Sequence, residues 1–169
     1  MRIYVACLAS YNAGRLHGAW IDVDTDKDAM AAKVDAMLKA SPMPNAEEFA
    51  IHDYDEFPNM GEYPSLDAIA ATAELVELAE DNGIDASDFA RIADNWHGNA
   101  DDIRNAFDCF CGVHDSFDEY ADEIADEFLS QHSVAESVAM YFDYQAYARD
   151  LAHDYTTVDL SHGVAIFHH

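Results

Sequence analysis

Asp115-Ser116-Phe117-Asp118-Glu119-Tyr120-Ala121-Asp122-Glu123-Ile124-Ala125-Asp126-Glu127-Phe128-Leu129 carries two interleaved patterns that separate a folded acidic protein from an acidic disordered tail. Phe117, Tyr120, Ala121, Ile124, Ala125, Phe128 and Leu129 recur at spacings of three and four, which makes one apolar helix face. Asp115, Asp118, Glu119, Asp122, Glu123, Asp126 and Glu127 follow the same spacing offset by two residues, about 200° around the axis, and form the opposite face. Helices of this length gain most of their stability by packing an amphipathic face, so this one needs a surface to lie on.

The neighbouring sequence supplies that surface. On the C-terminal side, Ser133 and Glu136 match a capping box, and Asp143 can cap a helix through Ala146, Tyr147 and Leu151. Residues 155–160 and 164–167 then pair as a hairpin around Ser161-His162-Gly163. On the N-terminal side lie three helical patterns: from Ser65 to Asn82-Gly83, from Ser87 to Gly98, and from Asn99 through Ile103, Phe107 and Phe110 to Gly112. Further back, residues 3–8 and 16–23 read as a hairpin about Asn12-Ala13-Gly14. Met30, Ala31, Val34, Met37 and Leu38 then mark a helix, and residues 49–54 a third strand. The expected class is α+β, in three small domains: a β-β-α-β unit over 1–61, a helical unit over 62–103, and an α+β unit with a C-terminal hairpin over 104–169.

Charge restricts the partner. The 169 residues hold 34 Asp and Glu against 8 Lys and Arg, a formal net charge of −26. No Lys or Arg stands between Lys39 and Arg91 or between Arg104 and Arg149, while carboxylates continue through both stretches. One-signed charge on a compact body repels itself, so something other than folding retains it. Half the residues are apolar and 12% are aromatic, which sets the chain apart from acidic disordered segments. Apolar runs fall far short of the roughly 18 residues a bilayer span needs. Residues 1–8 hold one positive charge and a short apolar run, a strand pattern rather than a cleaved signal, so an intracellular, cytoplasmic protein is expected. Three cysteines, two of them as Cys109-Phe110-Cys111, form no disulfide framework and fit a reducing compartment. Direct binding to nucleic acid or to an anionic membrane is excluded, since both require basic patches. The partner should be cationic: a basic protein, a metal ion, or a protein surface that normally receives nucleic acid.

Motifs for other chemistry are weak. Asp22, Asp24, Asp26 and Asp28 resemble the start of a calcium loop, but the positions needing Gly and a bidentate Glu hold Lys27 and Lys33. A loop leading into a helix N-terminus is the better reading, because carboxylates there complement the dipole. Cys109, Cys111 and His114 lack C-x2-C spacing and a second pair nearby, so the cysteines read as core thiols beside Phe107 and Phe110. His168 and His169 read as a tail. His17, His52, His97, His132, His153 and His162 are scattered, and there is no GxGxxG, P-loop or GxSxG pattern. No enzyme activity, metal or cofactor is expected.

The acidic face is more specific. Most charge runs are solvated faces, but those mix signs; this one sets five like-charge pairs at i,i+4 and three at i,i+3, each destabilising by roughly 0.2 to 0.5 kcal/mol. At about 1.5 Å per residue, seven carboxylates span roughly 18 Å, about one per 2.6 Å. Duplex DNA presents a phosphate per about 1.7 Å of axis, and a single strand one per about 3.4 Å. The whole net charge matches the phosphates on about 13 base pairs. Carboxylates set where phosphates would sit could fill a DNA-binding cleft.

Three blocks resemble the ArdA antirestriction proteins. The first is Ile3-Tyr4-Val5-Ala6-Cys7-Leu8-Ala9-Ser10-Tyr11-Asn12-Ala13-Gly14, followed by Leu16-His17-Gly18-Ala19-Trp20-Ile21-Asp22. The second is Ile51-His52-Asp53-Tyr54-Asp55 leading to Gly61-Glu62-Tyr63-Pro64-Ser65-Leu66, and the third Tyr141-Phe142-Asp143-Tyr144-Gln145-Ala146-Tyr147-Ala148-Arg149-Asp150-Leu151. The resemblance implies an elongated, curved chain of three domains that forms a homodimer through its C-terminal part and imitates bent B-form DNA. It implies as partner the type I restriction-modification complex, with the groove on its methyltransferase and specificity subunits occupied, and a source on a plasmid, transposon or phage in a bacterial host. The acidic surface expected to replace phosphates comprises Glu62, Asp67, Glu74, Glu77, Glu80, Asp81, Asp85, Asp88, Asp101, Asp102, Asp115, Asp118, Glu119, Asp122, Glu123, Asp126 and Glu127. The competing expectations are an acidic chaperone or binding module for a basic protein and, with less support, a calcium or other metal protein.

Overall fold

The computed structural model describes residues 1–169. It is mixed α+β, with eight α-helices and two small antiparallel sheets. Its contacts group the chain into two compact units, Met1–Ala90 and Arg91–His169.

In the first unit, β1 (Arg2–Cys7) is the middle strand of a sheet ordered β2-β1-β3. Its partners are β2 (Gly18–Asp22) and β3 (Phe49–Asp55), both antiparallel to it. Ile3, Val5 and Cys7 are fully buried, which accounts for the apolar run in the middle strand. The expected hairpin is present, but its connection is a short helix, α1 (Leu8–Asn12), rather than a plain turn. β2 begins at Gly18, so Leu16, expected in the strand, is almost fully exposed. Gly18 lies close under the Val5 carbonyl and the Tyr4 ring, where a Cβ would collide.

α2 (Lys27–Lys39) starts at Asp26, whose carboxylate accepts the N–H groups of Asp28 and Ala29. It turns Met30, Val34, Met37 and Leu38 inward and packs on β1, β2 and α3 (Leu66–Asp81). Ser65 caps α3 by accepting the Ala68 N–H, and Gly83 follows the helix with φ 78°. α4 (Ala86–Asn95) carries the boundary between the units. Its start is one residue earlier than expected from Ser87, because the Asp85 carbonyl already accepts the N–H groups of Asp88 and Phe89.

The second unit begins with α5 (Ala100–Asp108), capped by the Asn99 side chain as expected. The helix does not continue to Gly112. It stops at Asp108, and β4 (Phe110–His114) pairs antiparallel with β6 (Val164–His168), which also pairs with β5 (Tyr155–Asp159). Phe110 shares the helical spacing of Phe107, but it packs on Phe167 from the neighbouring strand. Gly112, taken as a helix stop, has φ 122° beside a register shift where Cys111 is the extra residue.

α6 (Phe117–Gln131) follows, capped by Ser116 through the Glu119 N–H, and packs on β4 and on α8 (Tyr144–Leu151). Its inner face joins a cluster of Tyr120, Val164 and Ile166, with Cys111, Phe117, Ile124 and Tyr155 around it. The Ser133 capping box is not formed. Ser133 takes φ 51° in the turn after α6, and the short α7 (Glu136–Ala139) has no side-chain cap. Asp143 caps α8 by accepting the Ala146 N–H. His168 and His169 are part of the fold: the His168 N–H donates to Cys109 and the His169 N–H to Asp154.

Candidate partner-binding surface

The acidic face on α6 follows from where the helix starts. Ser116 caps it, so Asp115 lies just outside, and Asp118, Glu119, Asp122, Glu123, Asp126 and Glu127 are the carboxylates on the helix proper, all exposed. Asp118 and Glu119 fall in the first turn, where the dipole favours them. The other four have no such compensation. No Lys or Arg lies on α6 to relieve repulsion along the row.

Partial anchoring replaces neutralisation. Glu119 accepts the Asp115 N–H at 3.2 Å, and Glu127 accepts from the Gln131 amide at 2.9 Å. Glu123 lies 3.9 Å from the half-buried His114 ring. The Tyr144 hydroxyl donates to Asp126, and this bond, followed by burial, raises the tyrosine's pKa above its ordinary value. On the buried side, burial raises Tyr120 further, aided by its hydroxyl contact with Tyr155 at 3.3 Å. Four of the six carboxylates on the helix, Glu119, Glu123, Asp126 and Glu127, thus have a partner within the chain.

The other expected residues divide between the two units. In the first, Glu62, Asp67, Glu74, Glu77, Glu80, Asp81 and Asp85 are exposed, and Asp67 forms an ion pair with Lys27. Asp88 is 6% exposed. With so little surface it cannot replace a phosphate, and it leaves the candidate set. In the second unit, Asp101 and Asp102 are exposed in the first turn of α5. Asp115 and the six α6 carboxylates complete this part of the set.

Asp24 and Asp26 act as turn and cap acceptors, the role expected for that loop. No group of three or more His, Cys, Asp or Glu side chains is arranged to hold a metal ion. The core reading of the cysteines fails in part: Cys109 is exposed and Cys111 half-buried. Tyr144 and Arg149, which face α6 across a cleft, were not singled out from sequence. The signal for Arg149 was present, since it is the only Lys or Arg after Arg104.

A family model described as antirestriction protein (ArdA) matches residues 3–166. No curated protein matches the chain.

Proposed function

Because the chain belongs to the ArdA antirestriction family, we propose that it inhibits type I restriction-modification enzymes by occupying the DNA-binding groove of their methyltransferase and specificity subunits. It acts by binding, as a protein substitute for duplex DNA, and needs no cofactor. One observation carries this reading: α6 presents six exposed carboxylates with no basic residue among them, on a helix that buries Tyr120, Ala121 and Ala125 on its other side. Such a row is unfavourable for the isolated protein and useful only to a surface that gains by meeting it.

The wider arrangement belongs to the same proposal: three parts, 1–61, 62–103 and 104–169, a homodimer formed through the last, and action in the bacterial cytoplasm on behalf of a mobile element. The carboxylates that replace phosphates are those of the candidate set without Asp88. Binding measured against a purified type I methyltransferase tests the reading. Affinity should fall steeply as salt rises, because displaced counterions are released as they are from DNA. No interaction at low salt would exclude it. Equally tight binding to free histone-like proteins, with no preference for the methyltransferase, would favour an acidic chaperone instead.

A further inference from the structure

α6 and α8 enclose a cleft of about 460 Å³ whose lining includes Phe117, Asp118, Asp122, Tyr144, Gln145 and Arg149. Asp118 and Asp122 stand one helical turn apart, so their carboxylates address the same space. They differ from their neighbours on α6. Glu119, Glu123, Asp126 and Glu127 each have a partner within the chain, whereas no hydrogen bond or ion pair engages Asp118 or Asp122. Arg149 lines the same cleft without pairing to either. Phe117 and Tyr144 add aromatic rings, and the bond from Tyr144 to Asp126 fixes the second ring in position.

We propose that this cleft receives one arginine side chain of the partner protein, with Asp118 and Asp122 holding the guanidinium and the rings of Phe117 and Tyr144 covering its face. The proposal rests on the groove reading above, because a groove built for DNA is where exposed arginines are met. Charge complementarity selects a cation, and two carboxylates beside aromatic rings suit the planar, weakly hydrated guanidinium better than a compact ammonium. Phosphates project along the outside of DNA and enclose nothing. The cleft therefore gives the protein a contact that the nucleic acid lacks. Arg149, which lines the same cleft, is a competing cation from the chain itself.

The test is a backbone-amide NMR titration of the full chain with N-acetyl-arginine amide, and with the neutral citrulline analogue at matched ionic strength. Saturable shifts at Asp118, Asp122 and Arg149 are expected with arginine and not with citrulline. The double variant D118N/D122N should weaken the probe by at least about tenfold, since charge-assisted bonds are lost. The variant E123Q/E127Q, with the same loss of charge on the same helix, should leave it within about twofold. R149M should bind the probe more tightly. Unsaturable drift along the whole of α6, or equal loss in the two double variants, would overturn the pocket. A probe that seats normally while the protein fails to compete with DNA for a methyltransferase would remove the groove reading and leave the pocket standing.

Discussion

The two units carry equal net charge and deploy it differently. Met1–Ala90 holds 18 Asp and Glu against five Lys and Arg, and Arg91–His169 holds 16 against three, so each contributes −13. The first unit spreads its carboxylates over loops and helices and sets some against cations, as in Arg2 with Asp55 and Lys27 with Asp67. The second gathers six on α6. Screening in physiological salt acts over about 8 Å, so a partner responds to local density and hardly at all to the total. Equal charge thus does not mean equal function, and the second unit should dominate binding.

Neutralising α6 should break that asymmetry most severely. Replacing its six carboxylates by Asn and Gln should weaken methyltransferase binding by about a hundredfold or more at low salt. The same treatment of six exposed carboxylates of the first unit, Glu62, Asp67, Glu77, Glu80, Asp81 and Asp85, should cost distinctly less, and equal losses would show that total charge decides. Phe167→Ala sharpens the structural side. Phe167 is 2% exposed and meets Trp96, Phe107 and Phe110. Its truncation should destabilise the protein by about 3 to 5 kcal/mol in denaturant titration.

Alkaline titration separates the units more gently. Tyr120 and Tyr144 in the second unit, and Tyr54 in the first through burial, all have raised pKa values. A raised folded-state value favours the neutral phenol, so their stabilising effect is complete below the ordinary tyrosine pKa of about 10 and is lost as pH climbs through the folded-state values. Stability followed by circular dichroism should therefore decline above that pH, and Tyr120→Phe should flatten the decline more than Tyr54→Phe. The smallest effect belongs to Arg2→Ala. Its bond to Asp55, 3.0 Å from Nε, is exposed, so thermal unfolding should shift only slightly and binding not at all.

Much of this architecture was legible in the sequence because local signals agreed with packing. Ser65, Asn99 and Asp143 cap the helices they were expected to cap, and β5 and β6 form the terminal hairpin. The failures come from long-range partners. Phe110 and Gly112 carried helical spacing and a stop signal, but pairing with β6, about 55 residues away, pulled them into a strand. Ser133 and Glu136 had the right spacing for a capping box, yet the left-handed turn after α6 claimed Ser133. The acidic face of α6 was readable from periodicity alone. Burial of Asp88 and the placing of Arg149 opposite Asp118 were not, since each depends on how separate elements meet.

Competition with duplex DNA tests the central claim most directly. A type I methyltransferase held at fixed concentration is titrated with this protein in increasing amounts of a duplex bearing the enzyme's recognition sequence. If the acidic surface takes the place of DNA, the protein's apparent Kd rises in proportion to free duplex and no ternary complex forms. An apparent Kd that stays constant, with enzyme, duplex and protein migrating together, would contradict it.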